Sequence, residues 1–288
     1  EIGSIKFGAV AANDGELAAA VVGGSFANGE GTSANAADTL VAISKGTVTS
    51  KVVGGSAAVN GSQVTAGNTQ VLVTGGEVQG DLVGGNLIDG SSSTASKDFT
   101  AENNSVTSTY VEYSGGSVAG EIIGGSTVRN ANAVSTVTGN TNVVVSATVE
   151  QSATQSWVEY VVGGGKAMTN AAGDGATANV DGTAKVTITG DANTSVGLVA
   201  GGGFTRLQAG GANATARVAN TVVNVDSGTL AGATGGGIAE NYGSNTADAG
   251  VDESSVTISG DAIINEVKYG AHNESAGTGI AVVGGGIA

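Results

Sequence analysis

Neither cysteine nor proline occurs anywhere in this chain. Without thiols there is no disulfide, no thiolate nucleophile and no cysteine-ligated zinc. Without proline, every residue keeps the backbone donor that a sheet ladder needs. Aromatic side chains make up only 3% of 288 residues, too few for a conventional globular core built on bulky rings. His272 is the single histidine, in the stretch Tyr269–Asn273, which reads as a surface turn, so a nucleophile–histidine–acid constellation has little to stand on. Cations are scarce as well. Ten Lys and Arg face 25 Asp and Glu, for a net charge of −15. This excludes the basic footprint of a nucleic-acid binder, and an anionic membrane surface would repel the chain. No apolar run is long enough to cross a bilayer. The sequence opens at Glu1, without Met or a signal-like apolar stretch, as expected of a processed or excised segment of an exported protein.

What is present is glycine, 51 residues of it, together with Val, Ala, Thr and Asn. The glycines fall at fixed places beside pairs of small apolar residues. The phrase reads Val21-Val22-Gly23-Gly24, Val52-Val53-Gly54-Gly55, Leu82-Val83-Gly84-Gly85 and Ile122-Ile123-Gly124-Gly125. It returns as Val161-Val162-Gly163-Gly164, Leu198-Val199-Ala200-Gly201, Ala233-Thr234-Gly235-Gly236 and Val282-Val283-Gly284-Gly285. A period of roughly 30–50 residues signals a solenoid, propeller or array. After each doublet comes a polar stretch of variable length, then a segment alternating at period two, such as Thr39–Ile43, Gln70–Val73, Asn142–Val145 and Val222–Val225. Alternation with β-branched residues is a strand signal. A glycine turn follows, as at Gly75-Gly76 and Gly115-Gly116. A third short strand, for example Glu77-Val78-Gln79 or Thr229-Leu230-Ala231, leads into the next doublet.

The expected fold is therefore all-β. It is a single right-handed parallel β-helix over residues 1–288, with about three short strands per coil stacked about 4.8 Å apart. Glycine is expected at the corners because sharp bends call for positive φ. Loops of variable length should leave at one corner, directly after the doublet strand; the longest candidates are 86–105, 126–141 and 238–253. A propeller would need four strands per blade, and helical repeats would need Leu, Glu and Lys in amounts the chain lacks.

The two ends complement one another in phase. Residues 1–8 resemble the alternating strand of a coil, and Val282–Ala288 begin another coil. No helix, proline or charge cluster caps either end, and an uncapped stack presents raw strand edges. Ile2, Ile5 and Phe7 on one face and Val282, Val283 and Ile287 on the other are the expected assembly interface. A contact of about ten backbone hydrogen bonds, each about 1 kcal/mol net, has to exceed an association cost of about 4–15 kcal/mol, so it needs a well-packed Val ladder. Head-to-tail contacts that do not close make filaments.

Site chemistry is sparse. The acids Asp14, Glu16, Asp81, Glu121, Asp191, Asp226 and Asp261 are scattered, and several follow glycine, where turn propensity explains them. Paired carboxylates would be needed for a polysaccharide-cleaving enzyme, but the aromatics that line sugar clefts are few. No cofactor is expected. The acidic stretch Asp248–Glu253 and Gly173-Asp174-Gly175 are the places where Ca2+ would find oxygen ligands. Gly163-Gly164-Gly165-Lys166 lacks the remainder of a phosphate-binding loop. Trp157–Tyr160, Tyr110 and Tyr113 are expected to pack loops against the coil side, with a glycan or protein contact as the alternative.

The run Gly-Gly-x-Val-x-Gly leading to an apolar-doublet-Gly-Gly, at residues 75–85 and 115–125, resembles the Gly-, Thr- and Asn-rich passenger regions of bacterial autotransporters and related large surface adhesins. The resemblance covers nearly the whole chain and is compositional. It implies an exported β-helical stalk at the cell surface. The expected function is an extracellular structural subunit that joins copies of itself end to end into a surface or matrix filament. The alternative is a segment of an adhesin whose side loops contact neighbouring cells or glycans, and less favoured is an enzyme acting on polysaccharide.

Overall fold

A computed structural model describes residues 5–7, 17–90, 101–129, 132–148, 160–169, 175–191, 193–265, 267–269, 278–280 and 282–284. These residues are all-β, without a helix among them. Almost all strands fall into three sheets. The first sheet collects the apolar doublets: Leu17–Val22, Lys51–Val53, Leu82–Val83, Ile122–Ile123, Tyr160–Val162, Ser195–Ala200 and Thr229–Thr234 lie side by side in chain order. The third sheet collects the alternating segments, from Thr39–Ile43 through Gln63–Val78, Ala101–Val118, Thr141–Val145, Ala176–Ile188 and Val218–Val225 to Val251–Ile258. Between repeats the strands of both sheets run parallel, and the apolar positions stay aligned from one repeat to the next. Val41, Val71, Val111, Val143, Val186, Val223 and Val256 form one continuous ladder.

The second sheet departs from the expectation that a loop follows each doublet. Directly after the glycines come Phe26–Asn28, Ala57–Val59, Leu87–Asp89, Thr127–Arg129, Lys166–Thr169, Phe204–Leu207 and Ile238–Asn241, seven parallel strands in chain order. Variable connections leave after this sheet, as at 90–100, and also after the third, where residues 146–159 lead to Tyr160–Val162; none separates a doublet from its second-sheet strand. The stretch expected to be a separate third strand divides between its neighbours: Glu77 and Val78 end the long strand Gln63–Val78, whereas Thr229 and Leu230 begin Thr229–Thr234.

Doublets show no polar–apolar alternation because both of their faces are buried, the pattern of strands covered on two sides. Val52, Leu82, Ile122 and Val161 pack with Val71, Val111 and Val143 of the third sheet. Their neighbours Val53 and Val83 turn the other way, onto Ala57 and Leu87 of the second sheet. Ile123, Val162 and Ala200 likewise meet Phe204 and Ile238. The remaining face of the second sheet, Ala58, Ile88, Val128 and Ala167, packs on Val64, Ala133 and Ala176 of the third. Small side chains suffice because three sheets share narrow interfaces.

The doublet glycines are required by crowding, and positive φ is not the reason. A Cβ on Gly84 would stand 2.3 Å from the Gly124 carbonyl oxygen and 2.9 Å from Val111 Cγ2. Positive φ appears instead at the second turn, at Gly76 (85°) and Gly116 (86°). Inside the doublet corner a row of hydroxyls ties each repeat to the next. Thr69 donates to the Gly84 carbonyl, Thr109 to that of Gly124 and Thr141 to that of Gly163, each at 2.6 Å. Thr39 and Thr221 do the same to Gly54 and Gly235. Ala184 occupies this row between Thr141 and Thr221 and has no hydroxyl to offer. Of the two tyrosines expected on the coil side, Tyr113 is wholly buried in the main cluster and donates to the Thr148 carbonyl at 2.6 Å. Tyr110, three residues earlier and on the opposite face, donates to Glu112 at 2.9 Å.

The strand Ile5–Phe7 joins the first sheet and pairs antiparallel with Leu17–Val22. Its alternating pattern predicts a third-sheet strand, so its place in the first sheet is a departure from that expectation. Near the other end, Thr229–Thr234 pairs with both Ile263–Ile264 and Val282–Val283, and an antiparallel pair, Val267–Tyr269 with Thr278–Ile280, lies between those two in sequence. Ile2, Ile287, His272, Asp14, Glu16, Trp157, Gly173 and Asp174 lie outside the described residues.

Candidate functional site

Where the doublets of the first sheet meet the second sheet, their outward faces pack into a buried, largely apolar furrow along the stack, with Thr127 and Lys166 at two of its second-sheet positions. Residues two positions apart on a strand share a face, so the positions two before each outward doublet residue and two after its partner on the second sheet form the furrow's rims. One rim reads Lys51, Asp81, Glu121, Tyr160, Leu198. The other reads Val59, Asp89, Arg129, Met168, Arg206, Glu240.

Charge is concentrated here. Lys51, Arg129, Lys166 and Arg206 are four of the chain's ten basic residues, and each has a carboxylate. Lys51 pairs with Asp81, and Arg129 with Asp89, in adjacent repeats. Lys166 crosses from the second sheet to Glu121 of the first. Arg206 donates to Glu240 at 2.6 Å, and the Tyr160 hydroxyl donates to the other oxygen of the same carboxylate at 3.0 Å. Between these groups lies Phe204. Its ring is 4.9 Å from that of Tyr160, 5.6 Å from the Lys166 ammonium and 5.1 Å from the Arg206 guanidinium, so both cations sit over an aromatic face. The hydroxyl of Thr127, one strand from Lys166, is buried without a partner.

Burial by itself would raise the Asp81 carboxyl. The charges of Lys51 and Lys166, hydrogen bonding from Lys51 and the Glu121 backbone N–H at 3.1 Å outweigh it, and the group is held well below the usual carboxylate range. Asp81 in turn holds Lys51 above the ordinary lysine range, against the opposing effect of desolvation. A general acid needs a raised pKa; Asp81 is tuned the other way. The furrow's chemistry is mutual neutralisation across repeats, and its charges clamp neighbouring strands together.

The sequence-selected acids divide. Asp191 is a turn residue, accepting from the Asn193 N–H at 2.8 Å, and Asp226 accepts from the Ser259 hydroxyl at 2.7 Å. Asp81, read from sequence as a turn residue too, instead belongs to the furrow, as does Glu121. In the acidic stretch Asp248–Glu253, the Asp248 carboxylate is taken by Arg217 at 3.0 Å and the Gly250 N–H at 2.9 Å. Among the described residues no group of acids and histidine is arranged to hold a metal ion, and no helix is long and apolar enough to cross a membrane. The amide N–H groups of Gly163 and Gly164 point to the carbonyls of Ala200 and Gly202, so they form no phosphate cradle. Of the expected interface residues, Ile5 and Phe7 lie on the antiparallel edge strand, and Val282 and Val283 on the far side of the same sheet. These two groups are not in contact; they mark opposite edges of the first sheet.

No family model matches this chain, and neither a curated protein nor a solved structure matches it.

Proposed function

We propose that this chain is an extracellular structural protein. In this reading residues 1–288 form one right-handed parallel β-helix of about three strands per coil, with loops of variable length leaving after the second and the third sheets. Right-handed winding is what parallel crossovers of one sheet adopt. Copies then add end to end into a filament, each stack continuing the ladders of the one before it.

One observation carries the reading. The last strand of the third sheet, Val251–Ile258, has a described neighbour on one side only. Its inward position Ile258 is 40% exposed, whereas Val225, the same position one repeat earlier, is 0% exposed. Ile264, on the neighbouring first-sheet strand, is only half-buried, whereas its register partner Leu230 is 0% exposed. A strand edge with its apolar row open is a template for another strand. The composition supports the same reading. It combines small side chains with low charge and binding chemistry spent within the stack.

Electron microscopy of the purified chain tests it. Unbranched fibres are expected, and Ile258→Asp should abolish them while the β-sheet circular dichroism remains. Monodisperse monomers at high protein concentration overturn the filament. Monomers that bind whole cells through their loops would favour the adhesin instead.

A further inference from the structure

The edge strand Ile5–Phe7 is the exception in the stack. Every other pairing among the described residues of the three large sheets is parallel; this one is antiparallel and covers the outer edge of Leu17–Val22. While it lies there, the parallel edge that an incoming first-sheet strand needs is occupied. No strand among the described residues pairs with the outer edge of Val251–Ile258 in the third sheet, and that edge is matched in pattern to Ile5–Phe7. Ile5 and Phe7 are two apart, as are Val256 and Ile258, Val223 and Val225, and Val41 and Ile43. In each described repeat the chain passes from a third-sheet strand to a first-sheet strand of the following repeat, as from Val218–Val225 to Thr229–Thr234. Ile5–Phe7 followed by Leu17–Val22 has this order, and the nine positions 8–16 between them exceed the link from Val225 to Thr229. The connection is long enough to turn that corner.

Resting on the filament reading above, we infer that Ile5–Phe7 is a strap that changes partners on assembly. In the free chain it caps its own first sheet. In the filament it leaves Leu17–Val22 and adds parallel to Val251–Ile258 of a second copy, with Ile5 beside Val256 and Phe7 beside Ile258. The exchange covers the open apolar row of one copy and frees the parallel edge of the other in one event. The occupant of the third-sheet edge is thus a segment of another copy of this chain. Growth requires the strap to detach, so the free chain is self-restrained.

The absence of native cysteine makes the test clean. Lys6→Cys with Ala18→Cys joins residues that face each other across the antiparallel pair, and its disulfide should lock the strap. Filament growth should be lost under oxidation and return with reductant. Phe7→Cys with Ile258→Cys should give chains linked to chains in oxidised filaments and no link in monomers, since neighbouring strands about 4.8 Å apart suit disulfide geometry. Growth with the strap locked, or reduced filaments that later oxidise without the Phe7–Ile258 link, overturns the exchange and leaves end-to-end assembly intact. If the unmodified chain forms no filament at all, assembly itself fails.

Discussion

At the residue scale, glycine in this protein does two different jobs, and substitution separates them. Gly84 sits where a neighbouring backbone leaves no room for a Cβ, so Gly84→Ala should lower stability by more than about 3 kcal/mol, at the severe end of overpacking. Gly29 has φ of 102° with open space around it, so Gly29→Ala should lose only about 1–2 kcal/mol, the strain of a left-handed residue. Urea unfolding of both variants measures the difference. The hydroxyl row offers a gain as well as a loss. Thr109→Val leaves the buried Gly124 carbonyl without its donor and should cost about 1–3 kcal/mol. Ala184→Thr supplies the hydroxyl that its row lacks and should add about 1 kcal/mol.

Strand-to-strand contacts depend on the furrow's ion pairs. Lys166 and Glu121 have side chains only 8% and 15% exposed. Removing one partner alone, as in Glu121→Gln, should destabilise by about 3–5 kcal/mol, whereas the double change to methionine should be close to neutral. Thermal unfolding in a double-mutant cycle checks this. Asp81 adds a pH dependence. Its folded pKa is depressed, so the stabilisation is complete above its unfolded value of about 4 and disappears as pH falls through that value toward the folded one. The melting temperature should therefore drop steeply on acidification from pH 5. In Asp81→Asn that acid limb should be shallower, from a lower starting stability. Lys51, whose pKa is raised by Asp81, retains its contribution below the ordinary lysine pKa and loses it only in strong alkali.

For the whole molecule, the net charge of −15 opposes the end-to-end association proposed above. In that assembly copies would meet with like charge, and screening shortens the reach of repulsion to about 8 Å at physiological ionic strength. Raising salt should therefore shorten the lag before filaments form, read by light scattering. An assembly driven by attraction between charges would respond in the opposite direction. The composition, low in charge and without proline, suits a stack in which backbone donors of one strand are taken up by the next.

The sequence by itself determined the repeat, the strands of the first and third sheets and the glycine corners. Local chemistry writes these down: buried doublets lose alternation, half-buried strands keep it, and a corner without space admits only glycine. The second sheet was not legible. Ala57-Ala58-Val59 and Lys166-Ala167-Met168-Thr169 are too short and too unlike for periodicity to show; counting positions from each Gly-Gly would have aligned them. Only the tertiary structure decided that Lys166 meets Glu121, 45 residues away, that Asp81 is an ion-pair residue, and that Ile5–Phe7 folds back on the first sheet. Each depends on which strands lie side by side, and stacking fixes that by bringing together residues a whole repeat apart, a distance over which no local pattern in the chain carries information.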